Sequence, residues 1–311
     1  MAMFHVPNGN NGLEGDKMSY GSDIPHTDLL ESEIRNLGPF IYRANGGNLG
    51  DSLLSSAEFD YFERIGLRYT QASSKNKSLL ISKPFNLVYG GGGGWISCYS
   101  KGYQQPMNEY FRNSHLKRCV VLPSTFYECE GVVRSFDDRF VVFCRDKMSM
   151  EYCRSVNGRA RFVFHDDMAF SLDASRFLDE RYFLRKHEAV LEPSCRKTKE
   201  YIASNRGRHA MFIRSDAEMS VSPGEGNFDL SAVFYRHGEH VTRAESDDAT
   251  ALMLNTVNVY DSVSTNRLHV AIAALLLGKH IDLYDNSYGK VSRVYASSPA
   301  MNGSSNISVH F

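Results

Sequence analysis

The stretch Asp261-Ser262-Val263-Ser264-Thr265-Asn266-Arg267-Leu268-His269 sets an arginine and a histidine one residue apart, where a strand and a polar turn give way to a helix. Unpaired N–H groups and the positive dipole end make such a place attractive to an anion. The helix that follows, Arg267 to Leu277, is apolar on every face, so it is expected to be buried, with Gly278 as its stop and Lys279 in its last turn. A guanidinium buried there without a partner would cost several kcal/mol, so something negative must face Arg267. A core carboxylate such as Asp261 could do this; so could an anionic substrate. Two further cations share the geometry. Arg214 ends the apolar run His209 to Ile213, and Lys290 follows the run Ile281 to Tyr284 through the polar loop Asp285 to Gly289. The expectation is a basic pocket of Arg214, Arg267 and Lys290 with His269, at the carboxyl ends of strands where open α/β sheets bind ligands. Forked guanidiniums suit carboxylates and phosphates, and imidazole exchanges protons near neutrality.

In the first half, Gly46-Gly47-Asn48-Leu49-Gly50-Asp51 reads as a tight strand-to-helix turn. It is not a P-loop, because no Lys-Ser/Thr follows the last glycine, and it lacks the dinucleotide-binding register. Asp51 is either a carboxylate at a helix start or, with Asn48, a ligand for acceptor hydroxyls across a cleft. Gly90 to Gly94 is a second glycine turn at a strand end. His165-Asp166-Asp167 has metal-binding residue types, but no further ligand stands at useful spacing, so a capped turn is expected and no metal site. The six cysteines are scattered without a CxxC pair and read as buried thiols.

These residues need elements to hold them. Phe40-Ile41-Tyr42, Asn86 to Tyr89, Cys119 to Leu122, Arg139 to Phe143 and Arg161 to Phe164 read as five short strands, each ending in turn residues. Cys119 to Leu122 ends at Pro123-Ser124-Thr125, and an amphipathic helix spans Ser52 to Ile65. A second series follows: Met211 to Ile213, Ala232 to Tyr235, Val257 to Val263 and Ile281 to Tyr284, with a helix Ala249 to Asn255 capped by Ser246, Asp247 and Asp248. The expected division is a flexible arm at 1–35, with a short helix near Asp28 to Asn36, a Rossmann-like domain at 36–176 on the acceptor side, a linker at 177–204, and a Rossmann-like domain at 205–311 on the donor side. The fold class is α/β, two Rossmann-like domains facing a cleft. A length of 311 residues fits two domains of ~150. With 35 Lys+Arg against 36 Asp+Glu, the formal charge of -1 supplies no field for nucleic acid or anionic lipid. The longest apolar run, Val270 to Leu277, is far shorter than the ~18 residues of a membrane span. No secretory signal is visible at the start, so a cytoplasmic location is expected.

The segments Gly47 to Asp51, Gly90 to Gly94, Arg145-Asp146 with Ser149, Asp167-Met168-Ala169-Phe170, Arg214, Thr265 to His269 and Lys290 together resemble the polysaccharide pyruvyl transferase family. The likeness runs from about Phe40 to Tyr295 and is nearest to bacterial exopolysaccharide ketal-pyruvate transferases, although Met168 and Val270 replace a proline and a glycine common among them. The resemblance implies a glycosyltransferase-B-like fold with phosphoenolpyruvate as donor substrate, no bound cofactor, and a sugar product carrying a pyruvate ketal. His269 is then the general acid, Arg214, Arg267, His269 and Lys290 hold the donor, and Asn48 and Asp51 serve the acceptor. A lipid-linked oligosaccharide acceptor would bring the enzyme to the inner face of the membrane as a peripheral protein. The competing readings are a glycosyltransferase using a nucleotide sugar and a non-catalytic carbohydrate-binding component of polysaccharide assembly.

Overall fold

The computed structural model describes residues 26–97, 107–237 and 241–311, with side chains from residue 29 onward. Most of the expected arm lies outside the described residues; its end forms helix α1 (His26–Arg35), close to the helix expected there. The chain then runs β1 (Phe40–Arg43), β2 (Gly47–Asn48), α2 (Leu49–Arg64), β3 (Tyr69–Gln71), α3 (Lys77–Leu80), β4 (Phe85–Tyr89), β5 (Gly92–Ile96), β6 (Leu116–Tyr127), α4 (Glu130–Val133), β7 (Phe140–Cys144), α5 (Lys147–Val156) and β8 (Arg161–Phe164). The remainder is α6 (Glu192–Ser204), β9 (His209–Phe212), β10 (Tyr235–Arg236), α7 (Arg243–Asn258), β11 (Ser262–Thr265), α8 (Leu268–Leu276), β12 (His280–Tyr284), α9 (Lys290–Ser297), α10 (Pro299–Asn302) and β13 (Ile307–His310).

The first sheet has the order β3-β1-β4-β6-β7-β8, every pair parallel, with β5 as a seventh strand beside β6. The order reverses between β1 and β4. Open parallel sheets bind ligands outside the carboxyl ends of strands at such a reversal. Both glycine turns lie there, one after β1 and one after β4. The second sheet is parallel in the order β13-β12-β11-β9. Both sheets are thus of the Rossmann-like α/β kind.

Several elements differ from expectation for identifiable reasons. The run at Cys119 does not end at Pro123: β6 continues to Tyr127, with its register against β7 shifting between Val121 and Ser124. Proline lacks an amide donor, and it sits where the ladder is interrupted. Gly92–Ile96 is a strand rather than a turn; it pairs with the far end of β6 after β4 has paired with the near end. Helix α2 is not amphipathic, being buried along nearly its whole length, because α7 and α8 cover the side a surface helix would turn to water. Ala232 to Tyr235 gives a 3-10 turn, Leu230–Val233, then β10, whose two residues pair antiparallel with β2. Helix α7 runs from Arg243 to Asn258 under a Thr242–Glu245 capping box, so Ser246 lies inside it and the strand expected from Val257 begins only at Ser262. The 177–204 stretch contains α6, with Ser194, Cys195, Thr198 and Tyr201 on its buried face.

Side chains alternate across a strand, so each strand of the first sheet feeds two cores. Ile41, Leu87, Tyr89, Cys119, Val121 and Val142 face an aromatic cluster around Trp95, Phe111, Phe126 and Phe136. Tyr42, Val88, Val120, Val141 and Phe143 face α2, and that cluster continues without a break through α7 and α8 into Val263, Ile281 and Leu283 of the second sheet. Five cysteines, Cys119, Cys129, Cys144, Cys153 and Cys195, are buried thiols; Cys98 lies outside the described residues.

Candidate active site

The carboxyl ends of the two sheets meet at Arg145, Asp167 and His269. Arg145 follows β7 directly, and its amide donates to the Ser124 carbonyl at 3.1 Å. Its side chain is 1% exposed, donating from Nε to Thr125 Oγ1 at 2.8 Å and from Nη1 to Asp167 Oδ2 at 2.7 Å. Asp167 lies just past β8, and its other oxygen accepts from the Ala169 amide at 2.9 Å, heading the 3-10 turn Met168–Ser171. The expected cap is therefore present, and the same carboxylate also faces the arginine. From the second sheet, β11 and its turn carry His269 into the first turn of α8, where Nε2 lies 3.2 Å from Arg145 Nη1 and 3.5 Å from Asp167 Oδ2. Burial by itself pushes the Asp167 carboxyl up, but the charges of Arg145 and His269 and the bonds from His269 and Ala169 outweigh it and hold the carboxyl well below its ordinary value. An ionised Asp167 gives His269 Nε2 two possible partners. Unprotonated, the nitrogen can accept from the guanidinium; protonated, it can donate to the carboxylate.

The first glycine turn packs against this histidine. A Cβ on Gly50 would stand 2.6 Å from His269 Nδ1, a contact no side chain could hold. Asn48 and Asp51 flank that glycine as the capping box of α2: Asn48 Oδ1 accepts from the Gly50 amide at 2.8 Å, and Asp51 Oδ2 accepts from the Asn48 amide at 2.8 Å. Both expected acceptor-side residues therefore flank the glycine that packs against His269, and both are engaged in starting the helix.

Arg214, Arg267 and Lys290 are also brought together, but not as an open basic pocket. Arg267, the residue before α8, donates from Nε and Nη2 to Asp229 at 2.9 and 2.6 Å, and its Nη1 lies 2.8 Å from Asp216. Arg214 donates from Nε and Nη2 to Asp216 at 2.7 and 3.0 Å and from Nη1 to Glu218 at 2.8 Å. Lys290 Nζ donates to the same Glu218 oxygen at 2.7 Å, and Asn286 Nδ2 adds a bond at 2.8 Å. Asp261, one of the two partners considered for Arg267, pairs with Arg208 at the surface instead. The reason is desolvation: guanidiniums with almost no exposure need carboxylates at bonding distance. Lys290 carries the residual strain. Burial pushes its ammonium down to about 8; Glu218 opposes that, while Arg214 and Arg145 add to it.

Sequence reasoning missed Arg145 as a site residue, and the acids Asp167, Asp216, Glu218 and Asp229 as partners. Arg145 had the same signal as Arg214, a cation ending an apolar run. The acids lie in loops, where spacing says nothing about which cation they will meet.

The parallel sheets of this α/β protein thus converge on a histidine, a buried guanidinium and a charge network. The family model for polysaccharide pyruvyl transferase matches residues 48–280, so the chain belongs to that family and is a transferase. A crystal structure of a functionally uncharacterised protein from Klebsiella pneumoniae subsp. pneumoniae is similar, with a TM-score of 0.71 and 30% identity over 92% of this chain and 97% of the other. No curated protein matches the sequence. Among the described residues, no helix is long and apolar enough to cross a membrane.

Proposed function

We propose that this transferase takes the pyruvyl group of phosphoenolpyruvate and joins it to two hydroxyls of one sugar in an exopolysaccharide repeat unit, giving a pyruvate ketal and free phosphate. The observation that carries the reading is His269 Nε2, held between the Arg145 guanidinium and the Asp167 carboxylate where the sheets meet. The enol carbon must gain a proton before its neighbour can accept an oxygen nucleophile, and a positioned imidazolium supplies one. His269 gives its proton to the methylene carbon. The first sugar hydroxyl then bonds to the electrophilic carbon, and its proton restores His269. The bond to phosphate breaks, the second hydroxyl takes its place, and that hydroxyl's proton leaves with the phosphate.

Arg214, Arg267 and Lys290, each beside a carboxylate, stay on the donor side in this reading, and the acceptor is assigned to Asn48 and Asp51, which flank the glycine packed against His269. The facing carboxyl ends of the two sheets support a glycosyltransferase-B-like arrangement with the donor on the second sheet and the acceptor on the first. A lipid-linked acceptor would place the reaction at the cytoplasmic face of a membrane.

Ligands that bind only the native state raise its melting temperature. Phosphoenolpyruvate should do so, and nucleotide sugars should not; the reverse result would make the chain a nucleotide-sugar glycosyltransferase. Incubation with phosphoenolpyruvate and galactose-, glucose- and mannose-terminated glycosides, followed by mass measurement, should yield a ketal on at least one. No phosphate release with any acceptor would favour a carbohydrate-binding role.

A further inference from the structure

Where β6 ends and the loop after β12 turns into α9, a tyrosine from each sheet meets the other. Tyr127, the last residue of β6, stacks on Tyr288 with ring centroids 5.0 Å apart and planes 21° from parallel. Thr125, which accepts from Arg145 Nε at 2.8 Å, lies two positions earlier on the same face of the strand, so Tyr127 stands about 7 Å beyond it. Tyr288 comes just before Gly289 and Lys290. The pair therefore borders the site that holds His269. Both rings are partly exposed. Tyr288 is fixed from within: burial, with the Glu218 carboxylate beside it, pushes its hydroxyl up. Tyr127 faces outward, and its hydroxyl is raised chiefly by its bond to Glu128.

Two charges flank the stack. Glu128 is exposed and accepts from Ser97 Oγ at 3.2 Å. Among the described residues it is the one non-glycine with a left-handed backbone, at φ 48°. That conformation costs free energy for any residue with a Cβ and persists where the surroundings impose it, commonly at ligand sites. Arg293, on α9, sets its guanidinium carbon 4.8 Å from the centre of the Tyr127 ring. Among the described residues neither Glu128 nor Arg293 is in an ion pair, unlike Arg214 and Arg267. One carboxylate and one guanidinium beside two amphipathic rings make a surface without net charge that can both accept from hydroxyls and donate to them. A neutral sugar has the matching chemistry: its hydroxyls donate and accept, and its C–H face packs on aromatic rings.

We infer that Tyr127 and Tyr288, flanked by Glu128 and Arg293, form the subsite that holds a neutral sugar of the acceptor. The inference rests on the acceptor reading above and adds four residues outside it, none of which is occupied in capping a helix as Asn48 and Asp51 are.

Methyl glycosides of galactose, glucose and mannose serve as probes, titrated into the full chain by calorimetry and saturation-transfer NMR, with phosphoenolpyruvate titrated separately. At least one glycoside should bind the wild type. Tyr127→Ala should weaken it roughly ten-fold, the scale of one aromatic contact, and leave phosphoenolpyruvate affinity unchanged. Tyr127→Phe keeps the ring and should restore most of the affinity. Glu128→Gly removes the carboxylate and relieves the left-handed backbone, so glycoside binding should fall while the melting temperature holds or rises. In the transferase assay both Tyr127→Ala and Glu128→Gly should raise the acceptor KM without lowering kcat. A wild type that binds no glycoside overturns the subsite, as does wild-type affinity in both variants. Equal loss of glycoside and phosphoenolpyruvate binding in Tyr127→Ala also overturns it, making the stack a latch between the sheets. Glycoside binding that the variants weaken, in a chain that neither binds nor turns over phosphoenolpyruvate, supports the subsite and overturns the donor reading. Ketal formation with an unchanged acceptor KM in both variants does the reverse.

Discussion

In the proposed reaction His269 gives a proton to carbon, and its Nε2 lies between the Arg145 guanidinium and the Asp167 carboxylate, which can orient the ring. His269→Ala should leave the phosphoenolpyruvate-induced rise in melting temperature in place while phosphate release falls by about 10²–10⁴, the usual contribution of a general acid. Turnover within ten-fold of wild type would remove His269 from that role. Lys290, pushed down to about 8 chiefly by burial, loses its charge as pH rises through that value. Phosphoenolpyruvate affinity should accordingly be steady below pH 8 and fall above it, and Lys290→Arg should abolish the fall; titrations on both sides of that pH would check it. At this scale the sequence shows which side chains are cations and where they sit relative to apolar runs. It does not show their counter-charges. Asp216 and Asp229 lie 51 and 38 positions before Arg267 and meet it only because a loop after β9 folds back across the second sheet.

Helix α2 connects the first glycine turn to the core, and two of its side chains show what it does. Asn48 caps it, so Asn48→Ala should lower stability by ~1 kcal/mol in a urea melt, whatever it does to the acceptor. Glu58 braces the second glycine turn: Tyr42 Oη donates to one oxygen, and the Gly91 amide donates to the other at 2.7 Å. Burial raises the Glu58 carboxyl to about 7, partly offset by those two bonds. A folded-state value above the unfolded one means the folded chain holds the extra proton. The stability this contributes is complete below the unfolded value and is lost as pH rises to about 7. Glu58→Gln should therefore flatten the pH dependence of the melting temperature across that window. The helix's position was readable from Gly50-Asp51 and Gly66, but its burial was not. A glutamate in mid-helix looks like a solvent-facing residue until the helix is laid on the first sheet, where Glu58 meets Tyr42 of β1 and Gly91 after β4.

At the level of the whole molecule, the unbroken cluster joining Tyr42, Leu53 and Leu252 to Val263 and Leu283 ties the two sheets into one core. Leu252→Ala, at a fully buried position between α2 and the second sheet, should cost ~2–5 kcal/mol. The loss should move a single calorimetric transition rather than detach one half; two separated transitions would contradict the shared core. Strand pairing between β2 and β10 and the Arg145–His269 contact cross the same junction, so the site and the core are coupled through it.

The sequence by itself determined the parallel α/β character, the glycine turn after β1, the buried helix behind Arg267 and the family. All of these are local: periodicity, turn chemistry and short motifs act over a few residues and survive without knowledge of the rest. Tertiary structure alone decided that β6 runs on past Pro123, that α2 is enclosed, that each of Arg214 and Arg267 is matched by carboxylates, and that Arg145 reaches His269 across the junction. Those outcomes depend on desolvation and on packing between segments remote in the chain, and neither leaves a mark in residue spacing.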